Sequence, residues 1–542
     1  VLRIFANSES VNYFLEDMKE AHYFLPYITD LQFYREQRFK MFKKIIIRFF
    51  FIIISINYFT VNLCADERGI LRLPRNWISW GGKESIDPAR PTFFLPVNWI
   101  LYETLAQPDE RGRPKPLLAE SWTSDNKCFS FKFKLRKNIF FHNNKPLKAD
   151  DVVYTFQHLL DPDIGSPVAS VLKIIDIKRF ETPDDHTVIF NLKKSHADFP
   201  ILLMHFMTGI IPKDSADNIA ITGIGTGPYK LKKFDLNGIT ELISHDNYWK
   251  GRPGLKKIEI YNIQKSTIGI YALLDGKIDY LSEISSLQAN FFRNDKNFII
   301  HQLPVGKMHN LVMNTEISPF NNIYLRKALK LVVDRQEMIK VVLRDIGSIA
   351  YDHPVWPVDQ YHLKLDLKQD IEKAKSYLKK AGYPNGIDLT LHVADVDTYM
   401  VAMGLTYKKM AQKAGVRIKL ELHRNENYWN DVWMKVPFCG SFWIMRFADQ
   451  ILCESLLSEA KWNESFWKNS KFDQSIIDAR KSIDINKRKQ FYHKAQRIVA
   501  EEGGIIVPFF ENTIRVISKN VKGVKKNEID NFIDWFKISK PD

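Results

Sequence analysis

Cysteine is scarce in this chain: four in 542 residues, at positions 64, 128, 439 and 453, with no C-x-x-C pair and no histidine at zinc-ligand spacing. That pattern argues against a metal ion held by cysteine. Catalytic signatures are missing too. There is no H-E-x-x-H, G-x-S-x-G or Walker motif, and the 14 histidines are dispersed; His142, between Phe141 and Asn143, reads as a turn residue. Acidic neighbours such as Glu501-Glu502 do not face each other on a helix, whereas acid–base work needs two carboxylates converging on one substrate. No internal repeat or long low-complexity tract is present. The formal net charge is +15, yet the lysines stand singly within amphipathic segments. Such scatter describes a solvated basic surface and not a nucleic-acid stripe.

Long apolar runs are also lacking. The greasiest stretch follows Met41, "MFKKIIIRFFFIIISINYFTVNLCADERG", in which Lys43, Lys44 and Arg48 precede Phe49 to Ile54 and a weaker apolar tail reaches Ala65. It is short for a membrane span and interrupted by Asn57 and Asn62. A basic start, a short apolar middle and a small residue before a polar turn make a secretory signal, so residues 41–65 are expected to be removed after Ala65. An uncleaved anchor is the alternative. Lipid attachment at Cys64 is disfavoured by bulky Leu63 before it, where a small residue is usual. Residues 1–40 carry no targeting pattern and read as an upstream translated segment. Without residues 1–65, which hold eight basic and six acidic side chains, the net charge is +13. In an oxidising compartment Cys439 and Cys453 could pair.

What is present is globular: 45% hydrophobic and 13% aromatic residues, enough for two or three domains. One stretch, "GIGTGPYK" (223–230), imitates a phosphate cradle. A cradle must open a helix, where free backbone N–H groups meet phosphate. Here Tyr229, Leu231 and Phe234 alternate with lysines up to the turn Asn237-Gly238, which reads as strand then turn. Gly223, Gly225 and Gly227 are therefore expected to serve a tight chain crossing, glycine tolerating positive φ and Pro228 fixing the exit.

Elsewhere one grammar recurs. "IEKAKSYLKKAGYPNGIDLTLHV" has helical spacing from Ile371 to Leu378, a stop at Gly382 and an alternating strand from Ile387 to Val393. "TYKKMAQKAGVRIKLEL" repeats it around Gly415, and "IYALLDGKIDYL" around Gly276. Helices alternating with strands predict an α/β architecture with largely parallel sheets. Residues 122–151 differ: Phe129, Phe131, Phe133 and Leu135 line one strand face, "HNNKP" turns, and a helix starts near Ala149 with Asp150 and Asp151 in its first turn. His186 to Ser195 is another strand. Trp462 to Trp467, "WNESFW", reads as a helix start capped by Asn463.

In order along the chain, eight segments carry a resemblance: "SIDPAR" (85–90), "YETLAQPDERGRPKPLLAESWTSD" (102–125), "FKLRKNIFFHNNKPLKADDVVYTF" (133–156), "GTGPYKL" (225–231), "DNYWKGRPGLKKIEI" (246–260), "LDGKIDY" (274–280), "NTEISPFNNIYLRKALKLVVDRQEMI" (314–339) and "AKSYLKKAGYP" (374–384). They resemble the bacterial extracellular solute-binding protein family 5, the dipeptide, oligopeptide and nickel receptors of ABC importers. The resemblance implies a periplasmic-binding-protein type II fold of class α/β, two lobes with a hinge, and an extra mixed α/β domain inserted in the first lobe. The implied layout is lobe I at 66–99, 222–305 and 505–542, the inserted domain at 100–221, and lobe II at 306–504. It implies a monomeric periplasmic receptor, not an enzyme, that closes on a short peptide or other small polar ligand and delivers it to the permease subunits of an ABC importer, with no cofactor and no nucleic acid. Haem, a nickel chelate, an opine or a sugar in place of peptide, or an exported hydrolase, stay open as alternatives.

Site expectations follow from the same resemblance. In peptide-binding relatives the segment matching Cys439 to Leu457 carries an acid that receives the ligand's amino terminus. Asp449 is the residue nearest that role, with Arg446 a carboxylate partner. "WIMRFADQ" departs from the Asp-rich loop of dipeptide receptors, which weakens the peptide assignment and would equally suit an anionic ligand. Trp77 and Trp80 before "SIDPAR", and Trp356 in the Pro-bounded "HPVWPVD", offer flat walls for a pocket. Tyr102 and Asn314 are positional expectations.

Overall fold

The computed structural model describes residues 69–540 apart from 76–83, 93, 98, 264, 398, 425–426 and 526–532. The signal segment, Cys64, Trp77 and Trp80 lie outside the described residues. All described residues belong to one compact unit, Arg68–Asp542.

The helix–stop–strand grammar holds. Ile371–Lys380 is helical, Gly382 turns at φ +95°, and Ile387–Ala394 is a strand; Met400–Gln412 leads through Gly415, φ +89°, into Val416–His423. These two strands pair in parallel, Ile387 with Val416 through Ala394 with His423. The expectation of largely parallel sheets needs correction. Only these strands, with Phe438–Trp443 beside them, run parallel in the seven-stranded sheet, whose order is Tyr280–Ile284, Ile505–Ser518, Phe298–Met313, Phe438–Trp443, Ile387–Ala394, Val416–His423, with Gly347–Ile349 alongside Ile505–Ser518. Phe298–Met313 and Ile505–Ser518 run antiparallel for most of their length. Two long strands far apart in sequence have no crossover helix to force them parallel.

Another sheet joins Ile70–Pro74, Lys257–Tyr261, Ile239–Ser244 and Tyr229–Lys233. A further four-stranded sheet, Ala119–Ser124, Ser130–Leu135, Thr187–Asn191 and Glu181–Asp184, is covered by the helix Ala149–Leu160. Phe131, Phe133 and Leu135 are buried as the alternation requires, whereas Phe129, before the strand, is 41% exposed. Their core is phenylalanine-rich: Phe133 and Phe156 both meet Phe190 edge to face, at 5.5 and 5.0 Å between centroids, geometry worth about 0.5–1.5 kcal/mol per pair beyond area burial. Asp151 accepts hydrogen bonds from the backbone N–H groups of Lys148 and Lys213, both at 2.7 Å, so it ties the helix start to residues 211–213.

"GTGPYK" is a crossing, for a reason only partly foreseen. Gly223 has φ +58°, but Gly225 and Gly227 are needed for space. A methyl on Gly225 would sit 2.0 Å from the Leu101 carbonyl oxygen, and one on Gly227 2.2 Å from that of Ile100. The half-buried His142 staples the crossing: its Nδ1 accepts from the Gly225 N–H at 3.1 Å while Nε2 lies 3.1 Å from the Gly227 carbonyl. Burial lowers the His142 pKa to about 3, which keeps the ring in the neutral form that can both accept and donate.

Two further expectations change. Cys439 and Cys453 are separate thiols, one in a buried strand and the other on the following helix. Asn463 caps no helix; Asn469 does, accepting from Lys471 and Phe472, and "WNESFW" forms turns that carry the buried Glu464 inward. That carboxylate accepts from four uncharged donors: Asn310 Nδ2 at 2.6 Å, Trp433 Nε1 at 2.6 Å, Ser441 Oγ at 2.8 Å and Trp443 Nε1 at 3.0 Å. Glu464→Gln would point an NH2 group at donors that need acceptors. It is expected to cost about 3 kcal/mol, read as a lower urea midpoint at unchanged slope; an unchanged midpoint would show that the knot contributes nothing.

Candidate functional site

Ligands of α/β sheets bind outside the carboxyl ends of parallel strands. Three such ends lie together here, at Ala394, His423 and Trp443, the last leading into 444–447. Beside them the strand Phe298–Met313 loses regular register between Pro304 and Met308, around Gly306 at φ +67°. A methyl on Gly306 would meet Met445 Cγ at 2.7 Å and the Trp356 ring at 2.9 Å, so the bulge is packed directly on the 444–447 corner.

Four charged or titratable groups converge at this bulge. Lys307 Nζ lies 2.5 Å from Asp397 and 3.3 Å from Glu511, and the buried His309 sits between the same two carboxylates, at 3.4 Å from Asp397 and 3.0 Å from Glu511. Burial opposes charge on Lys307, yet Glu511 and Asp397 win and raise its pKa; burial likewise opposes charge on Asp397, which His309 and Lys307 hold below the usual carboxylate range. His309, Asp397 and Glu511 have ligating atoms close enough for a cation, but the Lys307 ammonium already fills that role. Tyr399, Phe442 and the 38% exposed Trp429 supply aromatic surface: Lys307 lies 4.9 Å from the Phe442 ring centre, and Tyr399 meets His309 edge on.

The expected residues divide. Trp356, Arg446 and Asp449 share this neighbourhood, but Arg446 and Asp449 are not partners. Arg446, 23% exposed at its side chain, reaches Glu454 at 3.3 Å and the Met445 carbonyl at 3.0 Å. Asp449 is buried and accepts a two-pronged bond from Arg480, both prongs at 2.8 Å, with Tyr492 OH at 2.9 Å and His196 Nε2 at 3.1 Å. Burial would raise its pKa; Arg480 and His196 instead hold it well below the carboxylate range. Trp356 is fully buried, backing Gly306, and its indole N–H has no hydrogen-bond partner among the described residues. Asp359, three residues on, accepts from the Ala448 N–H at 2.8 Å and so caps the helix Ala448–Leu456, whose own N-cap Phe447 offers no acceptor. Burial pushes the Asp359 pKa up to about 7.

Tyr102 and Asn314 stand apart. Tyr102 is buried in the core beneath the glycine crossing, donating to the Ile86 carbonyl at 2.9 Å. Asn314 follows the long strand and accepts from the Glu316 N–H at 3.0 Å. Sequence reasoning missed Lys307, His309, Asp397 and Glu511, which lie on three separate stretches and share no motif. The one visible sign was an ionisable pair, Lys307 and His309, flanking Met308 in a strand that ends in the apolar run Leu311–Met313.

Comparison with known proteins agrees with the architecture. The chain is 28% identical to haem-binding protein A of Haemophilus influenzae over 451 residues, covering 76% of this chain and 81% of that one. It is 26% identical to the periplasmic oligopeptide-binding protein of Salmonella typhimurium, covering 80% and 86%. The unliganded open form of a periplasmic murein tripeptide binding protein superposes with a TM-score of 0.77 at 22% identity, covering 88% of this chain and 98% of that one, which places the fold among type II periplasmic binding proteins. The model of the middle region of the bacterial extracellular solute-binding proteins, family 5, matches residues 113–449, more than half of the sequence, and the chain belongs to that family.

Proposed function

We propose that this chain is the exported receptor of an ABC importer, which closes on a short peptide at the corner formed by Gly306, Lys307, Asp397, Trp429 and Met445–Arg446. The observation that carries the reading is the alignment with an oligopeptide-binding protein over most of both chains. The site's chemistry supports it: a peptide is zwitterionic, and the corner offers Lys307 and Arg446 to its carboxylate and Asp397 and Glu511 to its ammonium, over aromatic walls. Opposite charges in a fixed frame replace the water a polar ligand gives up on enclosure, when an unpaired buried group would cost about 1–3 kcal/mol. Trp356 backs the corner, and Asp449 holds its helix in place.

Closure requires the ligand to bind the closed state better than the open one. The crossing strands Phe298–Met313 and Ile505–Ser518 serve as the hinge between a lobe of 66–99, 222–305 and 505–542 and a lobe of 306–504, with 100–221 inserted in the first. The receptor is a monomer that is exported by the 41–65 signal, meets permease subunits when closed, and releases its ligand chemically unchanged. Among the described residues no helix is long and apolar enough to cross a membrane.

Calorimetric titration with di- to pentapeptides tests this. Arg446→Ala is expected to weaken binding about tenfold, roughly 1.4 kcal/mol, with a melting temperature close to that of the parent. Equal affinity in the variant would remove Arg446 from the site. A visible absorption band on haem addition, with no heat from any peptide, would favour the haem reading that the Haemophilus relative suggests.

A further inference from the structure

The parallel strands Ile387–Ala394 and Val416–His423 place three side chains of ligating chemistry on one sheet face. Register pairs His392 with Glu421 and Ala394 with His423, so the His392 ring falls between two residues two apart on the neighbouring strand. Their donor atoms converge. His392 Nδ1 lies 2.8 Å from His423 Nε2, His392 Nδ1 lies 4.0 Å from Glu421 Oε1, and His423 Nε2 lies 3.8 Å from the same oxygen.

We propose that His392, His423 and Glu421 form a binding site for one divalent transition-metal ion of the zinc class, with an outward position left for water or an external ligand. Donors about 2.0–2.1 Å from a tetrahedral ion stand about 3.3–3.4 Å apart. The three separations straddle that value, so side-chain shifts of about half an ångström bring all three atoms into range. Two imidazoles and one carboxylate match zinc and its neighbours in the series, and not calcium or magnesium, which take oxygen ligands. The frame is already built. Both strands are fixed by parallel pairing, and the Tyr428 hydroxyl, 3.1 Å from the His392 carbonyl and 2.8 Å from that of Gly440, ties Ile387–Ala394 to Phe438–Trp443. Access is open as well, since Val416–His423 is an edge strand and the Glu421 side chain is 46% exposed.

The second cluster of the same chemistry, His309 with Asp397 and Glu511, differs in that a lysine ammonium lies between its carboxylates. Only the strand-edge cluster has no such internal cation at its centre among the described residues. The inference does not depend on the peptide reading, since metal binding is measured without peptide.

The test is titration of the purified full chain, freed of metal by a chelator, with Zn2+ by calorimetry and with Co2+ by visible absorption. The expected result is one ion per chain at this site, with intense cobalt bands of low coordination number. His392→Gln and His423→Gln should each weaken binding at least about tenfold and remove those bands, while circular dichroism stays that of the parent. The solvent-facing Glu421→Gln, which leaves both rings in place, should weaken binding too, and His309→Gln should leave it unchanged. No zinc binding by the parent, or affinity unaltered in both histidine variants and in Glu421→Gln, would overturn the site. Loss of binding in His309→Gln alone would move the ion to the other cluster and overturn it equally.

Discussion

Gly225→Ala and Gly227→Ala are each expected to destabilise the protein by at least about 4 kcal/mol, or to abolish soluble expression. The added methyl would stand 2.0 Å from the Leu101 carbonyl oxygen in one case and 2.2 Å from that of Ile100 in the other, and a backbone atom cannot rotate out of the way as a side chain can. The crossing cannot spread without loss. Gly227 N–H donates to the Leu101 carbonyl at 2.9 Å, and His142 bridges Gly225 and Gly227 from the other side. Gly165→Ala is the control. It has φ +64° but open space around the position, so backbone strain alone should cost about 1 kcal/mol. Equal costs at 165 and 225, read from urea midpoints, would show that conformation and not space makes glycine necessary at the crossing.

Asp449→Ala is expected to cost about 3–5 kcal/mol, because it leaves Arg480 facing a buried hole. The loss should spread beyond one helix. His196, which meets Asp449, sits beside Asp198, whose carboxylate accepts from Tyr361 at 2.8 Å, pairs with Arg488 at 3.1 Å and competes with Asp449 for the one Tyr492 hydroxyl proton, 3.1 Å away. The backbone joins in, Ala197 N–H donating to the Arg480 carbonyl at 2.7 Å. Burial raises the Asp198 pKa against the pull of Arg488 and His196, so this acid depends on its neighbours to stay charged. A double-mutant cycle of Asp449→Ala with Arg480→Ala should give a coupling of about 1–3 kcal/mol. A further variant, Asp449→Asn, separates two roles for Asp449. If it receives the ligand's amino terminus, Asp449→Asn removes binding while stability holds; if it braces the corner, stability falls first and affinity follows.

Much of this molecule was legible in residue order. Ile371 to Val393 and Thr406 to Leu422 announced helix, glycine stop and strand because helical and strand periods differ and left-handed glycine marks the junction. Sheet direction was not legible. Nothing in "FIIHQLPVGKMHNLVM" says that its partner lies some two hundred residues away and runs antiparallel. The 443–449 segment was singled out through family likeness, whereas Lys307, Asp397 and Glu511 escaped notice because only the meeting of three loop or strand segments makes them a group. Asp449 shows the limit in the other direction. Its sequence position pointed to a ligand, but the partners that occupy its oxygens, Arg480, Tyr492 and His196, come from two distant regions of the chain.

The central claim is that this protein is a receptor that encloses a small solute, and native mass spectrometry of the purified full chain, followed by gentle denaturation, tests it most directly. The account predicts one passenger per chain, released as a ladder of short peptide masses. A bare chain that shows no thermal shift with peptides, haem or metal chelates, or peptides that come back cleaved, would contradict it.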